Sequence, residues 1–270
     1  MATVQTLTLQ TERMQASVED GIGWMVFNNP ARHNALSLEM WEGIGDILEH
    51  FADNEDVRVV IMRGAGGKAF VSGADISEFD KERANAEQRE SYGITAGRAT
   101  QWLAKIEKPL IGLIEGYCIG GGLATALSAD VRFATPDSRF GIPAAKLGLG
   151  YEYEGLAKLA RLVGPSRARD IMFSARFMPA REALDMGLIN FIEERDDIEG
   201  ACVSYAKTIA ENAPLTVKAA KAAFNAWERG SRTEEVNAVR AMVDACFDSE
   251  DYREGRKAFA AKRKPEFKNR

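Results

Sequence analysis

A chain of 270 residues with 46% hydrophobic and 28% charged side chains is long and apolar enough to bury one large core with a smaller appendage. Intrinsic disorder, collagen-like repeats and a disulfide scaffold are excluded. Lys plus Arg number 35 against 40 Asp plus Glu, a net charge of -5, so there is no global basic field to hold a nucleic-acid backbone, and no nucleic-acid partner is expected. Cys118, Cys202 and Cys246 are widely spaced, odd in number and lack a CxxC pair, which reads as buried thiols in a reducing compartment. The first twenty residues lack the charged-then-apolar build of a secretory signal, and no apolar run reaches about 18 residues. A soluble, cytoplasmic protein with no membrane partner is the expectation.

Gly23 to Phe27 (GWMVF) is a short apolar run that stops at Asn28, Asn29 and Pro30, as a strand ending in a turn does. Ser37, a candidate N-cap, then heads a helical pattern through Leu38, Trp41, Ile44, Ile47, Leu48 and Phe51. Val57 to Arg63 is a β-branched strand broken by Gly64, Gly66 and Gly67, and Ala69 to Val71 starts another. A polar helix is expected from about Glu82 to Lys105, a buried strand over Leu110 to Ile114, a helix over Leu123 to Ala129 after Gly120, Gly121 and Gly122, and a strand over Asp130 to Ala134. Strands this apolar, separated by helices and glycine turns, predict an α/β core covered on both faces. From Ile198 onward no strand is legible. Helices are predicted over Ala201 to Asn212, Thr216 to Arg229, Glu234 to Phe247 and Tyr252 to Lys262, which divides the chain into a core over 1–195 and a helical region over 196–270. Those helices are too apolar for a free-standing bundle and are expected to pack on the core or on neighbouring subunits.

Two glycine clusters bear on function: Gly64 to Gly67 leading to Ser72-Gly-Ala-Asp75, and Gly116 to Gly122. Neither is a GxGxxG fingerprint with its downstream acid, and no Lys-Ser/Thr follows, so a nucleotide phosphate loop is not expected. The glycines either only permit turns or let a ligand approach backbone N–H groups, with the helix near Gly121 aiming its positive end at a developing oxyanion. His33 and His50 have no Ser or Cys motif around them, and no His, Cys and carboxylate cluster has ligand spacing, so neither a nucleophilic triad nor a metal is expected.

The pieces Asn29-Pro-Ala-Arg-His-Asn-Ala-Leu-Ser37, Gly67-Lys-Ala-Phe-Val-Ser-Gly-Ala-Asp-Ile76, Glu115-Gly-Tyr-Cys-Ile-Gly-Gly-Gly122, Phe140-Gly-Ile-Pro143, Lys146-Leu-Gly-Leu-Gly150 and Ala183-Leu-Asp-Met-Gly-Leu-Ile-Asn190 fall in one order along the chain. In that order they resemble the crotonase (enoyl-CoA hydratase/isomerase) superfamily, and with Gly255 to Lys264 the resemblance covers nearly the whole sequence. It implies a spiral of ββα units, a C-terminal helical trimerisation region, and assembly as a trimer or hexamer. It also implies an acyl-CoA substrate whose thioester carbonyl sits between the backbone N–H groups of Ala74 and Gly121. Coenzyme A would arrive as part of the substrate, with no other cofactor. Its adenine would lie against Lys68, Ala69 and the run Ala74, Asp75 and Ile76, while Phe259 and Lys262 match positions from which a neighbouring subunit touches CoA; a basic solvated tail is the plainer reading of those two.

The two glutamates of a hydratase correspond here to Ala124 and Ala144, and a methyl group cannot accept a proton. In relatives that shift a double bond the single acid stands six residues into the Leu-Gly segment, which is Glu152, so isomerisation is favoured over hydration. Glu152 and Glu154 can equally sit in a helix's first turn. Tyr151 matches the tyrosine of methylmalonyl-CoA decarboxylase-like relatives, and a catalytically silent CoA-ester binder or an RNA-associated relative is a further alternative, the latter disfavoured by the -5 charge. Asp75 and Asp130 read as structural hydrogen-bonding residues.

Overall fold

The structure is a computed structural model that describes residues 4–75 and 86–270. Its main sheet carries β1 (Gln5–Thr6), β2 (Met14–Glu19), β3 (Ile22–Phe27), β4 (Val59–Gly64), β6 (Leu110–Ile114), β8 (Val131–Ala134) and β11 (Phe191–Ile192), side by side in that order. A second sheet holds, in spatial order, β10 (Met178–Pro179), β9 (Arg139–Gly141), β7 (Tyr117–Ile119) and β5 (Ala69–Val71). The chain therefore climbs in repeats. Each of β4, β6 and β8 lies in the main sheet, and the strand that follows it, β5, β7 or β9, crosses into the second. Helix α1 (Leu38–Asp53) follows β3, and α2 (Ala86–Lys105), α3 (Gly121–Ala126) and α4 (Ala144–Leu147) follow β5, β7 and β9 in turn. The mixed α/β spiral is the expected one.

The strands read as continuous apolar runs because both of their faces are buried. In β4, Val60 and Met62 face the core under α1, while Val59 and Ile61 face a second cluster with Ile111, Leu113 and Phe133. That second face is closed by α8 (Ile198–Ala210), which lays Ile198, Cys202 and Ala206 across it. The first helix past residue 195 is thus packed on the sheet. Between them run α5 (Tyr153–Val163), α6 (Pro165–Ser174) and α7 (Ala180–Asp185), and beyond α8 come α9 (Pro214–Glu228), α10 (Thr233–Asp248) and α11 (Glu250–Ala261).

Three local expectations need correction. Residues Met14–Glu19 form a strand that the apolar-run reading passed over, because only Met14, Ala16 and Val18 turn inward. It pairs with β3 through a two-residue turn at Asp20 (φ 49°) and Gly21 (φ 80°), the Asp-Gly pair that suits a tight hairpin. Ser37 stands at the N-cap of α1, yet its hydroxyl makes no capping bond and is buried without a partner among the described residues; its carbonyl accepts from Met40 and Trp41 instead. The helix after the glycine triplet ends at Ala126, three residues short of the expected Ala129.

Candidate active site

β5 and β7 are parallel neighbours in the second sheet, with Ala69 opposite Tyr117 and Val71 opposite Cys118. Their ends therefore lie at one edge. After β5, Gly73 (φ 119°) turns the chain so that Leu36 pairs with Ala74. Leu36 N–H donates to the Gly73 carbonyl at 2.8 Å and Asp75 N–H to the Leu36 carbonyl at 2.9 Å. In a parallel bridge this leaves the N–H of Ala74 pointing the other way, unpaired among the described residues.

After β7, Gly120 adopts φ 56° and ψ -119°, donates its N–H to Gly141 O at 2.8 Å, and starts α3. Gly121 is the first residue of that helix, so its N–H has no intrahelical acceptor. The two free donors stand together: a Cβ placed on Gly121 would lie 3.7 Å from Ala74 N. Glycine at 122 makes the approach possible, because a Cβ there would come within 2.0 Å of the Val71 carbonyl. Neighbouring backbone N–H groups with no acceptor among the described residues are donors available to a negatively polarised oxygen.

The sequence model of the family described as Enoyl-CoA hydratase/isomerase matches residues 17–270. The chain belongs to this family, within the crotonase superfamily. It is 36% identical over 256 residues to the short-chain-enoyl-CoA hydratase of Clostridium acetobutylicum, an alignment covering 93% of this chain and 96% of the relative. To the crotonyl-CoA hydratase of Syntrophomonas wolfei it is 32% identical over 252 residues, or 92% and 95% of the two. The crystal structure of an enoyl-CoA hydratase/carnithine racemase from Magnetospirillum magneticum matches with a TM-score of 0.90 at 37% identity, covering 97% of each chain.

Against the glycine turn that opens α3, this crotonase-superfamily chain sets one phenol. Ala124 lies in α3 and Ala144, almost fully buried, opens α4. Tyr151 is half-buried, and its hydroxyl lies 3.9 Å from where a Cβ on Gly120 would be. Burial pushes its pKa up, which keeps the phenol neutral and able to donate. Glu152 follows as the N-cap of α5, exposed and making no capping bond, with Glu154 in the first turn behind it.

Lys68 is exposed, while Ala69 is buried as the first residue of β5. The Lys68 carbonyl accepts from Tyr117 N–H at 3.1 Å, and glycine at 116 makes room for it, since a Cβ there would stand 2.0 Å away. Asp75 is buried beside Ala74; Ile76 lies outside the described residues. Phe259, 89% exposed on α11, and Lys262, the exposed αL residue capping that helix, stand in the helical region rather than beside the donor pair's own strands. Asp130 accepts from Leu110 N–H at 2.7 Å and Lys221 Nζ at 2.8 Å, an anchor between strand and helix.

Two positioning groups escaped the sequence reading. Asn34, fully buried with φ 56°, donates Nδ2 to the carbonyls of Ala65 (3.0 Å) and Ala69 (2.7 Å) and accepts from Asn29 N–H at 2.9 Å. It fastens the loop that leads into β5. Arg195 holds the same loop from the other side, together with Glu115, a lone acid at the end of an apolar strand that was the available signal.

Proposed function

We propose that this acyl-CoA enzyme places the thioester oxygen of its substrate between the N–H groups of Ala74 and Gly121 and shifts a double bond of the acyl chain, with Glu152 as the base. The observation that carries the reading is the pair of unpaired, adjacent backbone donors. As a proton leaves the carbon next to the thioester, charge moves onto the carbonyl oxygen, and each fixed donor stabilises that charge by about 3 kcal/mol. The N–H groups belong to the backbone, so they persist whatever side chains surround them.

The methyls of Ala124 and Ala144 remove both acids that water addition would employ. Isomerisation needs one carboxylate, which takes a proton from one carbon and returns it two carbons along while the dienolate is held. Glu152, next in sequence to the tyrosine that meets the glycine turn, is the carboxylate this reading assigns to the step. CoA enters and leaves as part of the substrate, with its nucleotide end against Lys68 and Ala69, and no other cofactor takes part.

The half-buried Tyr151, with its hydroxyl against Gly120, favours a second reading. In a malonyl-type thioester the bond to the carboxylate breaks, CO2 departs, and the electron pair becomes the enolate held by the same two donors. No base is required, and a neutral phenol would orient the departing group.

A panel of 3-enoyl-CoA, 2-enoyl-CoA and malonyl-type CoA esters, with products identified by mass and chromatography, separates the two. Under the first reading Glu152→Gln lowers turnover of a 3-enoyl-CoA by about 100-fold or more, while Glu154→Gln does much less. If Glu152→Gln leaves turnover of every accepted ester intact and Tyr151→Phe abolishes it, the decarboxylase replaces the isomerase. Turnover of none of the esters, with binding retained, leaves a CoA-ester binder.

A further inference from the structure

The loop between β4 and β5 carries two left-handed glycines, Gly66 (φ 81°) and Gly67 (φ 65°), and would be free to rearrange if its ends alone held it. Instead a guanidinium from 128 residues further along the chain sits on it. Arg195 Nη1 donates to the Gly67 carbonyl at 2.7 Å and to Glu115 Oε1 at 2.8 Å, and Nη2 donates to Asp137 Oδ2 at 2.8 Å. A Cβ on residue 67 would come within 2.9 Å of that Nη1, so the guanidinium lies directly over the bare glycine.

Glu115, the group that seats Arg195, is itself buried, with its side chain 10% exposed, and its second oxygen faces Arg63 Nη2 at 3.5 Å. Arg63 in turn pairs with Glu199 of α8 at 2.5 Å. The network therefore ties the loop to the end of β6 and, through β4, to the helix under the main sheet. A buried carboxylate fixing a guanidinium that in turn clamps a main-chain carbonyl holds one geometry far better than an exposed ion pair does.

We propose that Arg195 is a positioning residue for substrate binding: seated on Glu115, it locks the Gly66–Lys68 loop in the shape that receives the nucleotide end of a CoA thioester. The inference rests on the proposed placement of CoA against Lys68 and Ala69. A loop already ordered loses less freedom when the ligand arrives, so the lock lowers the cost of binding. It acts on the nucleotide half of the ligand alone, because the acyl end lies at Ala74 and Gly121, beyond β5.

Calorimetric titration of the full chain with butyryl-CoA and with butyryl-pantetheine, which lacks the nucleotide, tests this. The wild type is expected to bind butyryl-CoA more tightly than butyryl-pantetheine. Arg195→Ala should weaken butyryl-CoA by about tenfold and leave butyryl-pantetheine unchanged, since each tenfold corresponds to about 1.4 kcal/mol of lost binding. Arg195→Lys should recover part of the loss. Asp137→Asn, which trims only the exposed partner of Arg195, should move butyryl-CoA in the same direction by less and keeps the test open if Arg195→Ala does not fold. Equal weakening of both ligands would make Arg195 a general structural residue and overturn the inference. So would unchanged butyryl-CoA binding in both variants while the wild type still discriminates. A wild type that binds the two ligands equally would overturn the placement of CoA itself.

Discussion

Neighbouring glycines in one triplet do different jobs, and substitution separates them. A Cβ at Gly121 meets nothing closer than 3.7 Å, whereas one at Gly122 would drive into the Val71 carbonyl at 2.0 Å. Gly121→Pro removes one N–H at a helix position that tolerates proline, and turnover is expected to fall about 100- to 1000-fold with little change in melting temperature. Gly122→Ala is expected to cost about 1–3 kcal/mol of stability, a loss of roughly 3–10 °C in Tm that differential scanning calorimetry would read. A second residue-scale effect sits at Lys108, whose Nζ donates to the Phe51 and Asn54 carbonyls at the end of α1, at 2.5 and 2.6 Å. Burial, with the nearby Arg58 charge adding to it, lowers its pKa from 10.5 to about 8. Between those values the folded chain binds fewer protons than the unfolded one, so stability rises with pH there; below about pH 8 the charged, partly buried ammonium is a penalty. Lys108→Met removes that titration, and the Tm difference between wild type and variant should move in favour of the wild type from about pH 7 to pH 10. A difference that stays flat with pH would show that Lys108 titrates normally.

At the scale of elements, the site is a product of strand ends and helix starts. β5 and β7 lie parallel, α3 begins within two residues of β7, and α5 begins just past Tyr151. These placements follow from local chemistry: apolar runs for the strands, a left-handed glycine to turn each end, and free N–H groups at a helix start. The two carboxylates at the beginning of α5 illustrate how an element leaves a role open. Both favour the positive end of the helix, and both are exposed in the single chain. The helix start does not select between Glu152 and Glu154, which is why the paired Glu→Gln measurements bear on the reaction. β2 teaches the reverse lesson. Its period-two burial and Asp-Gly turn are plain once the hairpin is seen, but Gln15, Ser17 and Glu19 dilute the apolar signal below that of the fully buried strands.

At the scale of the whole molecule, α9, α10 and α11 leave Phe224, Trp227, Val243, Phe247 and Phe259 exposed, and a groove of about 690 Å³ runs between them, lined by Val239, Val243, Phe247, Tyr252 and Phe259. So much apolar surface on one region is expected to be covered by further copies of the chain. Sedimentation velocity at micromolar concentration should show a trimer or hexamer, and Phe247→Asp should shift the distribution toward a single chain; a lone monomer for the wild type would contradict it. The sequence by itself determined the α/β class, the helical end of the chain and the two glycine turns, because apolar periodicity and glycine's conformational freedom are properties of consecutive residues; the family followed from its resemblance to known motifs in one order along the chain. What it could not determine were relations between residues far apart in the chain. That Ala74 N–H has no acceptor among the described residues depends on Leu36 claiming its neighbours' groups, that Arg195 clamps Gly67 depends on Glu115 and Asp137, and that the Ser37 hydroxyl makes no capping bond depends on what surrounds it. Hydrogen bonds are directional and short, so their partners are chosen only when the packed sheets bring distant backbones within about 3 Å of each other, and the tertiary structure alone makes that choice.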